Sequence, residues 1–321
     1  MVRFLLRRVT QGLLVMWIVT MAVFAMFFVG PGPADVAQRL AGRQATPETV
    51  QLVRRRLGLD QPTVVQYWHF LDRLLHGNLG YSYYQGQSVN TVLKQAFPVT
   101  LSLALGAAVL WLLIGVLAGV ASAVRRGSVW DRLATTVALF FYSMPVFVLG
   151  LLLLYVFYYQ FTIHGLRLFP GQGYTPLGAN PLKWFQSLVL PWFSLALITA
   201  ATYLRLTRAS MLEVMGEDYI RTARAKGLRE TRVIYRHTLR SALTPVVSQF
   251  GIDLGTLLGG AIVTEVVFGL PGLGYTAVNS IQNDDLPVII GVVILASAAV
   301  VVANIVVDVA YAVLNPRIRL H

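Results

Sequence analysis

The chain has 321 residues, 56% of them apolar and only 12% charged, with a mean hydropathy of +0.65; a soluble domain carries roughly 25% charged residues, so lipid is the solvent for most of this sequence. The net charge of +12 is assigned to basic residues retained at the cytoplasmic ends of membrane helices rather than to a nucleic-acid surface. The lack of cysteine excludes disulfides, thiolate metal sites and cysteine nucleophiles.

Apolar runs of about 20 residues, the length that crosses a hydrocarbon core, recur along the chain. They are continuous rather than alternating, which predicts membrane helices rather than a barrel. Arg3, Arg7 and Arg8 precede the first run, 9–29. A signal peptide has an apolar core of only about 7–15 residues, so this run is expected to be a retained first span with its N-terminus inside. Gly30-Pro31-Gly32-Pro33 ends it. Residues 30–98 then form a small helical extracytoplasmic insertion with two short helices. Thr46-Pro47-Glu48 supplies an N-cap, a first-turn proline and an acid for one that ends near Gly58. Asp60 and Pro62 open the other, which stops at Gly77. Arg54, Arg55 and Arg56 make this insertion basic, but the positive-inside rule weakens for loops beyond about 60 residues.

The second span covers 99–124, and Arg125, Arg126 and Arg132 place the loop after it inside. The third covers 133–157 and is expected to kink at Pro145. The loop before the fourth span, 188–206, carries just Arg167 and Lys183 and is expected outside. The fifth span, 246–268, holds Gln249, Asp253, Thr256 and Glu265; the sixth, 288–314, holds Asn304 and Asp308. Arg317 and Arg319 close the chain on the cytoplasmic side. The expectation is an all-α membrane protein of six spans with both termini cytoplasmic, and no internal repeat is evident. Seventeen of the 26 Lys and Arg residues then fall inside, and seven of the nine outside lie in the long insertion.

The segment 207–245 separates the fourth and fifth spans as a cytoplasmic loop. From Arg205 to Pro245 there are nine basic residues against Glu213, Glu217, Asp218 and Glu230. Tyr219–Lys226 suits a short helix with Asp218 as N-cap and Gly227 at the left-handed position after its end. Arg229, Arg232, Arg236 and Arg240 are spaced 3, 4 and 4 apart, which is one face of a second helix. The predicted form is helix, glycine turn, helix across the inner membrane surface. Spacing alone fits an interfacial helix held by anionic headgroups as well as a docking element.

Residues 219–228, Tyr-Ile-Arg-Thr-Ala-Arg-Ala-Lys-Gly-Leu, continued by Arg-His-Thr-Leu-Arg-Ser-Ala-Leu-Thr-Pro at 236–245, resemble the cytoplasmic loop of bacterial ABC-importer permeases, and more narrowly the dipeptide/oligopeptide permease family. The general importer loop begins Glu-Ala-Ala with a Gly four residues on. Here Arg221, Thr222 and Ala223 stand before Gly227, and the two departures are ones the peptide branch also makes. Gly-Leu-Asp-Gln-Pro at 58–62, His-Gly-Asn-Leu-Gly-Tyr-Ser at 76–82, Leu-Phe-Pro-Gly-Gln-Gly at 168–173, Thr-Glu-Val-Val-Phe-Gly-Leu-Pro-Gly-Leu-Gly at 264–274 and Asn-Pro-Arg-Ile-Arg at 315–319 are similar to that family in the same order. Asp284 stands where the family usually has Arg.

The resemblance implies a type I ABC-importer permease fold in a bacterial inner membrane. It implies a homologous second permease, two cytoplasmic ATPase domains that bind ATP and Mg, and an extracytoplasmic binding protein that delivers di- or oligopeptides. Nickel, glutathione and haem importers share the family. Tyr219, Arg221, Thr222, Ala223, Arg224, Ala225, Lys226, Gly227 and Leu228 would form the coupling helix seated in an ATPase cleft.

The chain itself is expected to be non-catalytic. A phosphate loop needs Gly-Lys-Ser/Thr, and none of Lys94, Lys183 and Lys226 follows a glycine. No two histidines share metal-ligand spacing on one helix face, so no metal site is expected. A carboxylate inside a span must face the bundle interior or a water-filled path. Asp253, with Gln249 and Thr256, therefore either lines the substrate path or makes an inter-helix hydrogen bond, and Asp308 fits an inter-helix link. Glu265, with Pro271, Gly272 and Gly274, forms either a hydrogen-bonded corner or a contact for the binding protein or gate. Tyr81, Tyr83 and Tyr84 suit an interfacial aromatic belt. A secondary transporter would need inverted repeats with broken helices, and a membrane enzyme a catalytic cluster; neither is found.

Overall fold

The structure, a computed structural model, describes residues 2–30, 33–41 and 45–314. The expected stop at Pro31-Gly32 and the segment 315–319 with Arg317 and Arg319 lie outside the described residues. Among those described, the chain is almost wholly helical, and five helices are long and apolar enough to cross a membrane: Leu5–Val29, Val89–Val124, Val146–Ile163, Pro181–Met215 and Leu286–Val309. The chain divides into two compact units. One joins residues up to Thr100 with Leu258–Ile262 and Pro271–Ile305; the other joins Leu101–Leu257 with Val263–Leu270 and the C-terminal residues from Val306.

In the first unit, α1 (Val2–Phe24) runs on as a π turn, Ala25–Val29. Helices α2 (Pro33–Ala41), α3 (Pro47–Leu57) and α4 (Thr63–Leu75) follow. Thr46 caps α3, its hydroxyl accepting from Thr49 N at 3.3 Å, and the chain turns out of the helix at Gly58. Asp60 does not open α4 directly; it pairs with Arg54 at 2.6 Å, and Pro62 takes the N-cap place. Phe24 stacks on Phe28 at 5.1 Å, and Phe28 meets Phe70 at 5.5 Å. These rings centre a core that includes Val36, Leu40, Val53, Leu286 and Ile290.

A two-stranded antiparallel hairpin interrupts the expected all-helical order: β1 (Tyr81–Ser82) pairs with β2 (Gln87–Ser88), in the register Tyr81 opposite Ser88. Gly86, whose N–H donates to Ser82 O at 2.9 Å, closes the turn. Ser82 Oγ donates to the buried Asp285 at 2.5 Å, which ties the hairpin to the start of α15 (Leu286–Leu314). Burial holds the Asp285 carboxyl above its ordinary pKa.

In the second unit the order is the latter part of α5 (Val89–Val124), α6 (Val129–Tyr142), α7 (Val146–Leu153), a π turn Leu154–Gln160, α8 (Phe161–Ile163), α9 (Pro181–Met215), α10 (Asp218–Ala225), α11 (Glu230–Arg232), a π turn Val233–Thr238, α12 (Leu239–Gly260) and α13 (Ile262–Val267); α14 (Leu273–Gln282) and α15 belong mainly to the first unit. Helices α5 and α9 pack closely because Gly115 and Gly119 have no side chain. A Cβ on Gly115 would lie 2.9 Å from Ala200 O, and one on Gly119 would lie 2.8 Å from Leu204 O. Small residues four apart let two backbones approach in this way.

Three further elements differ from expectation. The stretch 133–157 is not one kinked helix: α6 stops at Tyr142 and α7 starts after Pro145, whose backbone is extended (ψ 139°). The residue before a proline is pushed out of the helical region, so Met144 breaks the chain rather than bending it. Helix α5 begins ten residues before 99, with Pro98 inside it. The basic second helix after Gly227 is not a separate surface element. Residues 230–260 are continuously helical through α11, the π turn and α12, with Pro245 inside.

Candidate functional site

Helix α10 is short and its apolar side is narrow. Ile220 and Ala223 are buried against Val233, with Val214 and Leu228 packed beside them. That leaves Tyr219, Arg221, Thr222, Arg224, Ala225, Lys226 and Gly227 exposed. Of the nine residues expected to dock a partner, Ala223 and Leu228 therefore face the chain's own core, and the other seven are exposed.

Two devices fix the bend. Gly227 has φ +74°; its N–H donates to Arg224 O at 2.9 Å and the Leu228 N–H to Ala223 O at 3.4 Å, the paired bonds of a Schellman turn. Arg224 then forks onto Glu230 across the turn, Nη2 to Oε1 at 2.8 Å and Nε to Oε2 at 3.2 Å. The arginine holds the Glu230 carboxyl below its usual range. The N-cap geometry belongs to Glu217, which makes no side-chain cap, and not to Asp218. Asp218 sits in the first turn, where its charge suits the helix dipole, and pairs with Arg221 at 3.4 Å. Arg229, Arg232, Arg236 and Arg240 are all exposed.

Behind this bend lies a cluster that the sequence reading passed over. Asp131, buried in the first turn of α6, takes two parallel bonds from Arg208 of α9, Nε to Oδ1 at 2.8 Å and Nη2 to Oδ2 at 2.9 Å. The Ser122 hydroxyl donates to Oδ1, and Gly127 N donates to Oδ2 at 2.9 Å. Arg208 first, then Ser122 and Gly127, hold this carboxyl far below the ordinary carboxylate range. Val120, Ala123, Met211, Ile234 and Ala242 pack together, so α5, α9, the π turn and α12 share one core beside the elbow. The one sequence signal was an acid among Arg125, Arg126 and Arg132.

Gln249 and Asp253 do meet, Nε2 to Oδ1 at 2.9 Å, and the Tyr203 hydroxyl donates to the other carboxylate oxygen at 2.9 Å. Thr256 bonds the backbone carbonyl of Asp253 instead. Tyr203, fully buried and 6.1 Å from the Trp111 ring, was not anticipated. Glu265 is buried, and its carbonyl accepts from Leu270 N at 2.8 Å. Pro271 is exposed, whereas Gly272 and Gly274 are buried; a Cβ on Gly274 would lie 2.6 Å from Ile262 Cα. Among the described residues, no three His, Asp or Glu side chains gather as metal ligands.

Residues 112–320 match the family described as "Binding-protein-dependent transport system inner membrane component", and residues 1–104 match the N-terminal membrane component of the same kind of system. A probable peptide ABC transporter permease of Sinorhizobium fredii is 39% identical over 98% of this chain and 99% of its own length. A putative peptide transport system permease of Brucella abortus is 41% identical over 99% of each. The glutathione transport system permease GsiC of Escherichia coli strain K12 is 39% identical over 99% of each. A chain of the inward-facing MetNI methionine ABC transporter shares the fold, with TM-score 0.53 and 20% identity over 70% of this chain and 96% of that one.

Proposed function

The chain belongs to the family of binding-protein-dependent transport-system inner-membrane components, and we propose that it is the permease subunit of an ATP-driven importer of peptides. The observation that carries this reading is end-to-end similarity to permeases named for peptide transport, at 39–41% identity. Glutathione is itself a tripeptide, and the similarity to a glutathione permease favours it as a second substrate class.

The mechanical part rests on the elbow. Helix α10 presents Tyr219, Arg221, Thr222, Arg224 and Lys226 on an exposed face and is clamped by Gly227 and the Arg224–Glu230 fork. We infer that this face seats in a cleft of a cytoplasmic ATPase, which binds the ATP and Mg. A homologous second permease completes the pathway, and a binding protein delivers substrate on the other side. Closure of the ATPases on ATP then moves the attached helices as bodies, through their differential affinity for the two arrangements. In this scheme the membrane is the bacterial inner membrane, both termini are cytoplasmic and there are six spans, with 30–98 outside and 207–245 inside. Helices α12 and α13 together would supply the fifth span, which is not among the five apolar helices named above.

Purification and vesicle transport test this. The solubilised chain alone should show no ATPase activity and co-purify with an ATPase subunit when both are expressed. Vesicles need the second permease, the ATPases and the binding protein for peptide uptake. Uptake by the lone chain on an ion gradient would overturn the reading.

A further inference from the structure

Helix α4 of the insertion has two apolar faces, and just one is covered. Tyr67, Phe70 and Leu74 pack onto α1 and the insertion core. Val64, Trp68, Leu71 and Leu75, spaced 4, 3 and 4 apart, form another face, on which Val64 is 68% exposed, Trp68 61% and Leu75 78%. The depth of α4 is fixed by its partners. The Thr20 hydroxyl donates to Trp17 O at 2.7 Å, so the Tyr67 hydroxyl donates to Thr20 at 3.1 Å. The Tyr67 ring lies 5.3 Å from Phe24. Thr20 is nine residues inside the end of the membrane-length helix Leu5–Val29, roughly 14 Å at helical rise. Helix α4 thus packs beside the last turns of this membrane-length helix rather than beyond its end, and its uncovered apolar face is suited to acyl chains.

Beside α4 the same unit encloses a cleft of about 590 Å³, walled by the end of α1, the insertion helices, the hairpin and the first turn of α15. That is within the range of roughly 300–1,000 Å³ usual for small-molecule sites. Its walls are mostly apolar, and Arg73 is the single charged residue among the described residues that line it. Arg73 is half-buried; its Nε donates to His69 O at 3.3 Å, and among the described residues no carboxylate lies within ion-pair distance of it. Burial lowers its pKa, the mark of a cation short of compensation. Tyr81 and Tyr83 stand at the rim, 5.2 Å apart and partly exposed, where amphipathic rings meet headgroups.

We propose that this cleft holds one phospholipid of the leaflet that Thr20–Phe28 reaches, with an acyl chain along Phe28, Phe70, Leu74 and Ile290 and the phosphate on Arg73. A soluble anion would satisfy Arg73 and leave the apolar walls wet; a lipid without a phosphate would do the reverse. The lipid would act as a structural wedge, filling the space between the insertion and the start of α15 from the membrane side. The site does not depend on the importer reading.

The test uses the full chain in detergent. Native mass spectrometry should show one phosphatidylglycerol retained about tenfold more than diacylglycerol, which lacks the phosphate, the ratio that a charge-assisted hydrogen bond supplies. Arg73→Gln should abolish the preference and Arg73→Lys keep most of it. Phosphatidylglycerol with a photoreactive acyl chain should label the 63–75 peptide in the unaltered protein, which keeps the test decisive if Arg73→Gln does not fold. Equal retention of the two lipids, an unchanged preference in folded Arg73→Gln, or label absent from 63–75 would overturn the proposal. Displacement of the lipid by an added tripeptide would also overturn it and make the cleft a peptide site.

Discussion

Arg208 holds Asp131 through two parallel bonds of 2.8 and 2.9 Å, across 77 positions of sequence. Fork-on-carboxylate geometry fixes direction as well as distance. The pair therefore locks the turn between α5 and α6 against the last turns of α9, the helix that leads into the elbow.

Asp131→Asn and Arg208→Lys should both lower the thermal midpoint in detergent. The aspartate change should cost more, because it leaves Arg208 facing a neutral amide, whereas lysine keeps the charge and loses the fork. The pH dependence follows from the depressed pKa. The contribution of Asp131 is fully present above the unfolded carboxylate value of about 4 and is lost as pH falls through the lower folded value. The gap between wild type and Asp131→Asn should therefore stay constant from neutral to about pH 5 and narrow in stronger acid. A gap that shrinks between pH values of about 7 and 5 would contradict this assignment.

Gly227 is the second point of control. A Cβ there would meet nothing within 4 Å, yet φ is +74°, so a substitution is penalised by backbone strain alone, about 1–2 kcal/mol. Gly227→Val should leave expression near wild type and reduce peptide uptake in reconstituted vesicles, and Gly227→Asn, which tolerates this conformation, should recover much of it. Equal uptake in all three would remove the bend from the mechanism.

The α5–α9 contact should be intolerant of size. Gly119→Leu drives atoms into Leu204 O and the Thr207 side chain, and overpacking of this kind costs about 1–3 kcal/mol or more. Gly178→Ala, with open space around it, is the matched control. Yields of folded protein after size-exclusion chromatography should separate the two.

Tyr203 tests the two roles open to Asp253. Tyr203→Phe removes one bond to the carboxylate and leaves Gln249 in place, at a cost of about 1–3 kcal/mol if Asp253 is purely structural. Stability would then fall with the substrate concentration for half-maximal uptake unchanged. If Asp253 meets a peptide amino group, that concentration should shift while stability changes little.

Much of this protein is legible along the chain. Lipid accepts only long apolar helices, so composition and run length point to a helical membrane protein, and the helix stop at Gly227 follows from backbone sterics confined to one residue. Local rules placed the Thr46 cap and the end of α3 at Gly58 for the same reason. At Met144-Pro145 the sequence reading expected a kink within one helix, and the structure has a break, because the residue before a proline is pushed out of the helical region.

What the tertiary structure alone decided is pairing and facing. Asp131 and Arg208, or Tyr203 and Asp253 fifty positions apart, carry no mark that names the partner, because hydropathy averages over windows and a carboxylate looks the same whichever cation it will meet. Ala223, expected within the coupling helix, lies inward because facing depends on which neighbour, here Ile220 with Val233, closes the core. The sequence thus determined the class of structure and the site of the bend at Gly227; the packed fold determined which charges hold that bend and which remain exposed.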